Sequence, residues 1–161
     1  MKLIQMETGQ KTIQKINRID LTSNIKLSIH ISLNGLSFCI VDENKNEIVF
    51  LKEIVFPKKT TPKELLKHLK SSFKDNSELN DTFSSVKIIH YNNLSTVVPE
   101  VLFDKNNALS YLKFNSKILQ NDYVANDSIF NNECINVYIP YVNINNFIFK
   151  KFDSFIYNHY S

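Results

Sequence analysis

Four histidines, two cysteines and a run of lysines are the side chains most able to do chemistry in this chain, and their spacing limits what that chemistry can be. His30, His68, His90 and His159 are scattered, with no HExxH helix and no Ser/His/Asp order around them. They are expected to be solvated or hydrogen-bonded structural histidines. Cys39 and Cys134 stand far apart and outside any CxxC or Cys/His cluster, so no zinc or other metal site is expected. Cys39 lies inside an apolar run and reads as a buried thiol. The densest charge runs through Lys52, Lys58, Lys59, Lys63, Lys67, Lys70 and Lys74 against Glu53 and Glu64. Lys63, Lys67, Lys70 and Lys74 fall on one face at helical spacing. That face could track the phosphates of a nucleic acid, or it is the solvated side of an amphipathic helix. Arg18 is the only arginine, which weakens a bidentate reading of phosphate or base.

These residues must be positioned by elements that the pattern makes plain. Leu27, Ile29, Ile31 and Leu33 alternate with polar residues, the period of a half-buried strand. Asn34-Gly35 follows as a hairpin signal, both residues tolerating positive φ. Leu36–Val41 is the return strand. After a polar turn, Glu47–Phe56 is a third strand, completing an antiparallel meander. Thr61, Pro62 and Glu64 form a helix start with a capping box. Leu65, Leu66, Leu69 and Phe73 then recur at helical spacing. Val86–Tyr91 reads as a strand after the crossover, giving the order β-β-β-α-β. Val97-Val98-Pro99 is extended. Asp104 can cap a second helix carrying Ala108, Leu109, Tyr111 and Leu112. Asn121–Ile129 is a turn and then a strand, and Ile135–Ile139 is another strand. Asn143 can cap a last helix before a final strand at Phe155-Ile156-Tyr157. Residues 1–20 read as an arm, flexible or adding one extra strand.

Composition sets the outer limits. At 161 residues the chain has the size of one domain and can bury a core without disulfides. A net charge of +3 is too small for a dedicated nucleic-acid binder. Two glycines, Gly9 and Gly35, leave no room for a Gly-rich phosphate loop. No apolar run reaches membrane-spanning length, and the first fourteen residues lack a signal-peptide core, so a cytoplasmic protein without a membrane partner is expected. The Asn-x-Ser/Thr triplets at Asn80, Asn93 and Asn126 carry no glycosylation meaning in that setting.

Three segments carry a family resemblance. They are Leu27-Ser28-Ile29-His30-Ile31-Ser32-Leu33-Asn34-Gly35-Leu36-Ser37-Phe38, Val98-Pro99-Glu100-Val101-Leu102-Phe103-Asp104, and Ile135-Asn136-Val137-Tyr138-Ile139-Pro140-Tyr141-Val142-Asn143-Ile144-Asn145-Asn146. Together they resemble the bacterial family known as domain of unknown function 3822, typical of the Bacteroidetes, over residues 21 to 161. The resemblance implies a mixed α/β fold similar to one half of an actin-like ATPase, or to ribonuclease H. The region from about 95 to 132 would be an inserted subdomain, and Ile135–Phe152 would return to the sheet. It also implies longer relatives with a second, similar half that this chain lacks.

The same resemblance implies where a nucleotide would sit. An active actin-like ATPase has an acidic residue at the end of its first strand to hold the Mg²⁺ shell, and a hairpin turn that faces phosphate. The equivalent turn here is Ser32, Asn34, Gly35 and Ser37, and the acidic position is occupied by Ser32, which cannot supply the charge. A ribonuclease-H-like nuclease would need several converging carboxylates. The leading expectation is therefore a non-catalytic binding or assembly module on a degenerate actin-like scaffold, with no cofactor. One alternative is a switch or ATPase, taking ATP and Mg²⁺, whose site needs the second half. Another is an RNA-associated accessory protein using the lysine face. The aromatic run Phe147, Phe149, Phe152, Phe155, Tyr157 and Tyr160 is either a Phe-rich core or a surface for a protein partner or self-association.

Overall fold

The computed structural model describes residues 2–5, 11–14, 24–113, 118, 122–129 and 132–161. The meander is present as β3 (Ile25–Ser32), β4 (Gly35–Asp42) and β5 (Glu47–Val55), preceded by two short strands, β1 (Lys2–Gln5) and β2 (Lys11–Gln14), paired antiparallel with each other. Where a flexible arm or one extra strand is expected, residues 2–5 and 11–14 form two strands, while residues 1, 6–10 and 15–20 lie outside the described residues. In β3 the alternation puts Ile25, Leu27, Ile29 and Ile31 in the core and leaves Lys26, Ser28 and His30 half-buried on the other face. In β5 the alternation breaks: Val49 and Phe50 are both buried and Ile48 is exposed. There Ile40 pairs with Phe50 but Val41 pairs with Ile48, so Val49 is the extra residue of a bulge.

Helix α1 (Pro62–Asp75) starts where its capping signals predict. The Thr61 hydroxyl accepts the Glu64 N–H at 3.3 Å and the Glu64 carboxylate accepts the Thr61 N–H at 3.3 Å. Leu65, Leu69 and Phe73 bury onto the sheet. The crossover delivers β6 (Ser85–Tyr91) parallel to β3. A last helix, α3 (Val142–Phe152), lies beside α1 and buries Ile144 and Ile148. It leads to β10 (Ile156–His159), which is parallel to β6. The five-stranded sheet therefore runs β10-β6-β3-β4-β5, with both helices contributing to one core. Phe73 is the hub between them, its ring 6.1 Å from Phe38, 5.7 Å from Phe147 and 5.9 Å from Phe152.

Between β6 and α3 the chain builds a second layer around its own small core. Strand β7 (Ser95–Pro99) is followed by α2 (Ala108–Lys113), reached through a 3-10 turn that Asp104 caps. Then come β8 (Ala125–Ile129) and β9 (Cys134–Tyr138). These make a three-stranded antiparallel sheet in the order β7-β9-β8. This corrects one expectation: Ile135–Ile139 does not return to the main sheet but forms the centre of the small one. The reason is side-chain fit, since Ile135 and Val137 bury against Val98, Ala108 and Leu112, not against the main core.

One capping expectation also changes. Asn143 lies inside α3 and its amide donates to the Pro62 carbonyl at 2.7 Å, while Tyr141 holds the N-cap position without a side-chain cap. Cys39 and Cys134 are half-buried free thiols. Among the described residues, no helix is long and apolar enough to cross a membrane.

Candidate functional site

The hairpin turn between β3 and β4 lies at the carboxyl end of two parallel strands, β3 and β6, where ligands commonly bind in open α/β sheets. A cavity of about 420 Å³ opens there, lined by Ser32, Leu33, Asn34, Lys59, Pro62, Tyr91, Asn92, Asn93, Leu94 and Tyr141. Of the expected turn residues, Ser32 and Asn34 reach this cavity and Gly35 and Ser37 do not line it. Ser37 pairs with His30 two positions along the ladder.

The turn is held by bonds that leave little for a ligand. Ser32 Oγ accepts the Asn34 N–H at 3.1 Å and donates to the Gly35 carbonyl at 3.2 Å. The Leu33 and Asn34 carbonyls accept from Thr60 and Phe56, each at 2.8 Å, tying the turn to the connection that leads into α1. The loop proper is Leu33-Asn34, and Asn34 has an ordinary negative φ, so the expected positive-φ turn does not form. Gly35 is needed for a different reason. A Cβ at this position would lie 2.4 Å from the Ile54 carbonyl oxygen on the neighbouring strand. The start of α1 is equally occupied, its Glu64 carboxylate accepting from Thr60 and both donors of Thr61.

Behind the cavity, His90 is completely buried. Its Nδ1 accepts the Tyr141 N–H at 3.4 Å and its Nε2–H donates to the Asn145 amide oxygen at 2.9 Å. Burial pushes its pKa down to about 4, the Asn145 bond opposing and His159 adding to the effect. The imidazole is thus neutral at pH 7 with both nitrogens engaged. Tyr141 is pushed up to about 12 by burial, and its hydroxyl donates to the Tyr91 carbonyl at 3.4 Å. Asn92 is spent as well: its amide donates to Ile139 at 2.9 Å and its side-chain oxygen accepts from Leu94 at 2.8 Å. Among the described residues, no carboxylate lines the cavity, and there is no cluster of three or more His, Cys, Asp or Glu able to hold a metal.

The lysine face is where helical spacing puts it. Lys63, Lys67, Lys70 and Lys74 are all exposed on the side of α1 away from its buried residues. Lys70 extends its ammonium over the Phe147 ring, 5.7 Å from the centroid. The aromatic run divides. Phe147, Phe152, Phe155 and Tyr157 pack on the main core, whereas Phe149 and Tyr160 are exposed, together with Ile156 on the edge strand β10.

A second group of polar side chains, which sequence reasoning missed, lies between the small sheet and β10. A cleft of about 470 Å³ there is lined by Asp127 and Tyr138 from the small sheet and by Tyr123, Phe155 and Tyr157 around it, with Lys105 at its rim. Asp127 pairs directly with Asn136 in the β8–β9 ladder, and Tyr138 is two residues further along the same face. The Tyr123 and Tyr157 hydroxyls are 3.5 Å apart, and the Tyr138 ring lies 5.2 Å from that of His159. The only hint in the sequence is polar residues on one face of two short strands, visible once their register is known.

Residues 14–161 match the profile of a family described as "Protein of unknown function (DUF3822)". Among solved structures, the chain is similar to a Bacteroides thetaiotaomicron VPI-5482 protein described as having an actin-like ATPase fold and unknown function. The TM-score is 0.74 at 21% identity, over 89% of this chain and 55% of that one. The fold is therefore actin-like, and the chain spans about half the length of that neighbour. A foamy viral protease-reverse transcriptase in complex with dsDNA also matches, at TM-score 0.32 and 14% identity over 62% of this chain and 23% of that one, too distant to bear on fold or function. No curated protein matches.

Proposed function

The chain belongs to the DUF3822 family, and from that premise we propose that it is a non-catalytic binding or assembly module built on an actin-like scaffold. The observation that carries this reading is the state of Ser32. It occupies the position where an actin-like ATPase needs an acidic residue, and its proton and one of its two lone pairs are used inside the hairpin. A serine so placed cannot hold the oxygen shell of Mg²⁺ around a triphosphate, which requires charge as well as oxygen. The partner surface in this reading is the edge of β10 with the exposed Phe149, Ile156 and Tyr160 beside it. An unpaired strand edge flanked by apolar groups favours pairing with another chain.

A second reading is supported by the 420 Å³ cavity itself, which lies at the carboxyl ends of parallel strands. It holds that a nucleotide binds between this unit and a second half. Calorimetric titration of ATP with Mg²⁺ into this chain and into the Bacteroides thetaiotaomicron protein separates the two. Absence of binding to both supports the module. Binding to the longer protein alone supports the switch, and steady ATP turnover by either overturns the leading reading.

A further inference from the structure

The described residues contain three buried side-chain atoms without a hydrogen-bond partner: Asp127 Oδ2, Asn136 Oδ1 and Tyr138 OH. All three belong to one face of one small sheet, Asp127 opposite Asn136 and Tyr138 two positions beyond. Tyr138 is fully buried. Buried polar atoms are nearly always paired in native proteins. The Tyr138 phenol lies close to the Asp127 carboxylate and interacts with it, but neither that phenol, Asp127 Oδ2 nor the Asn136 amide oxygen has a hydrogen bond of proper length and direction, which points to a missing partner on this face. Asp127 and Tyr138 line the cleft against β10.

The chemistry of the three atoms selects the partner. A carboxylate oxygen and an amide oxygen only accept hydrogen bonds, and a phenol can accept. What fits is therefore a donor. Its charge is selected too. The Tyr138 phenol is held well above its ordinary pKa, first by burial and then by the Asp127 carboxylate. Tyr157 is pushed up to about 12 by burial, with Tyr123 and Asp127 adding to it. The cleft thus disfavours a second negative charge. Tyr123, Tyr157 and Phe155 add aromatic rings to its wall, and ring faces attract cations. A hard divalent ion would want six or more oxygens, which one carboxylate and its neighbours do not supply.

We propose that this cleft is a binding site for a protonated primary amine, the ammonium N–H groups donating to the Asp127 carboxylate and the Tyr138 hydroxyl oxygen and its carbon chain lying against the Tyr123 and Tyr157 rings. Lys105 also lines the cleft and is exposed, so water and salt screen its charge from the site. The site is separate from the hairpin cavity and holds whichever reading of that cavity is correct.

The test uses the whole chain and n-butylammonium chloride as probe, followed by NMR on the tyrosine ring signals. Saturable shifts at Tyr123, Tyr138 and Tyr157 are expected, while butan-1-ol of the same length and equimolar sodium chloride leave those signals unmoved. Asp127→Asn, which keeps the shape and removes the charge, is expected to weaken binding at least tenfold. Absence of saturable shifts overturns the proposal. So does equal binding of the alcohol, a comparison that needs no variant and so does not depend on Asp127→Asn folding. Undiminished affinity in a folded Asp127→Asn protein also overturns it.

Discussion

The hairpin cavity and the tyrosine cleft are of similar size, and they treat their polar groups in opposite ways. Around the cavity, Ser32, Asn92, His90 and the turn carbonyls are each bonded within the protein. On the face of the small sheet that borders the cleft, a carboxylate oxygen, an amide oxygen and a phenol are buried without a well-formed hydrogen bond. A satisfied network rigidifies the fold, whereas an unsatisfied one costs stability, and the fold can retain it only where something else compensates. The region that the resemblance marks for chemistry is therefore a structural knot, and the small sheet holds the open chemistry.

The largest test of the knot is acid. His90 carries a folded-state pKa of about 4 against an ordinary 6.5. The unfolded chain therefore binds this proton first, and stability is full above pH 6.5. It falls as pH drops towards 4, by about 3 kcal/mol for a shift of this size. His30 and His159, also lowered chiefly by burial, act in the same direction. Urea denaturation at pH 7 and pH 4.5 should show the loss, and His90→Gln should remove most of the slope. A flat profile in the native protein would mean that the histidine is not held neutral. Next in size is Gly35→Ala, whose Cβ would meet the Ile54 carbonyl at 2.4 Å. Separating β4 from β5 there should cost about 2–3 kcal/mol, read as a lower urea midpoint with an unchanged slope.

How far each region could be read from sequence follows from how local its causes are. The meander, the Thr61–Glu64 cap and the crossover to β6 rest on neighbours within a few residues, and each is found where alternation and capping put it. The Ser32 and Asn34 side of the cavity was equally legible, being a four-residue turn. The role of Gly35 was not, because the atom it avoids belongs to another strand. Val49 hid a bulge, since an extra residue changes the pairing without changing composition. Strand β9 misled for a related reason. Its residues Ile135–Tyr138 are all buried, so they read as a central strand of whichever sheet is at hand, and only pairing with β7 and β8 assigns the sheet. The same register brings Asp127, Asn136 and Tyr138 onto one face, so the cleft could not be read before the small sheet was known.

Tyr138→Phe tests the other side of the contrast, and the sign of its effect is the informative part. Removing a buried hydroxyl that has no partner relieves a desolvation cost, so the variant should be more stable than the parent by about 1–2 kcal/mol. Its affinity for n-butylammonium should not improve with it. A loss of stability would mean that the phenol is bonded in solution and the cleft is a second knot.

Ser32→Ala makes the smallest change and bears most directly on function. The hydroxyl both accepts from Asn34 and donates to Gly35, and it is buried. Alanine should cost about 1 kcal/mol, the usual value of a lost internal hydrogen bond, and leave the hairpin register intact because Ser32 still pairs with Gly35. Ser32→Asp is the sharper partner experiment. It restores the charge that an actin-like site would use, in a turn whose amides are already committed. If the loss of serine only loosens the turn and aspartate brings no Mg²⁺-dependent nucleotide binding, the turn as a whole has been recruited to hold the sheet. If aspartate alone creates such binding, the cavity has kept the geometry of a nucleotide site and lacks only its charge.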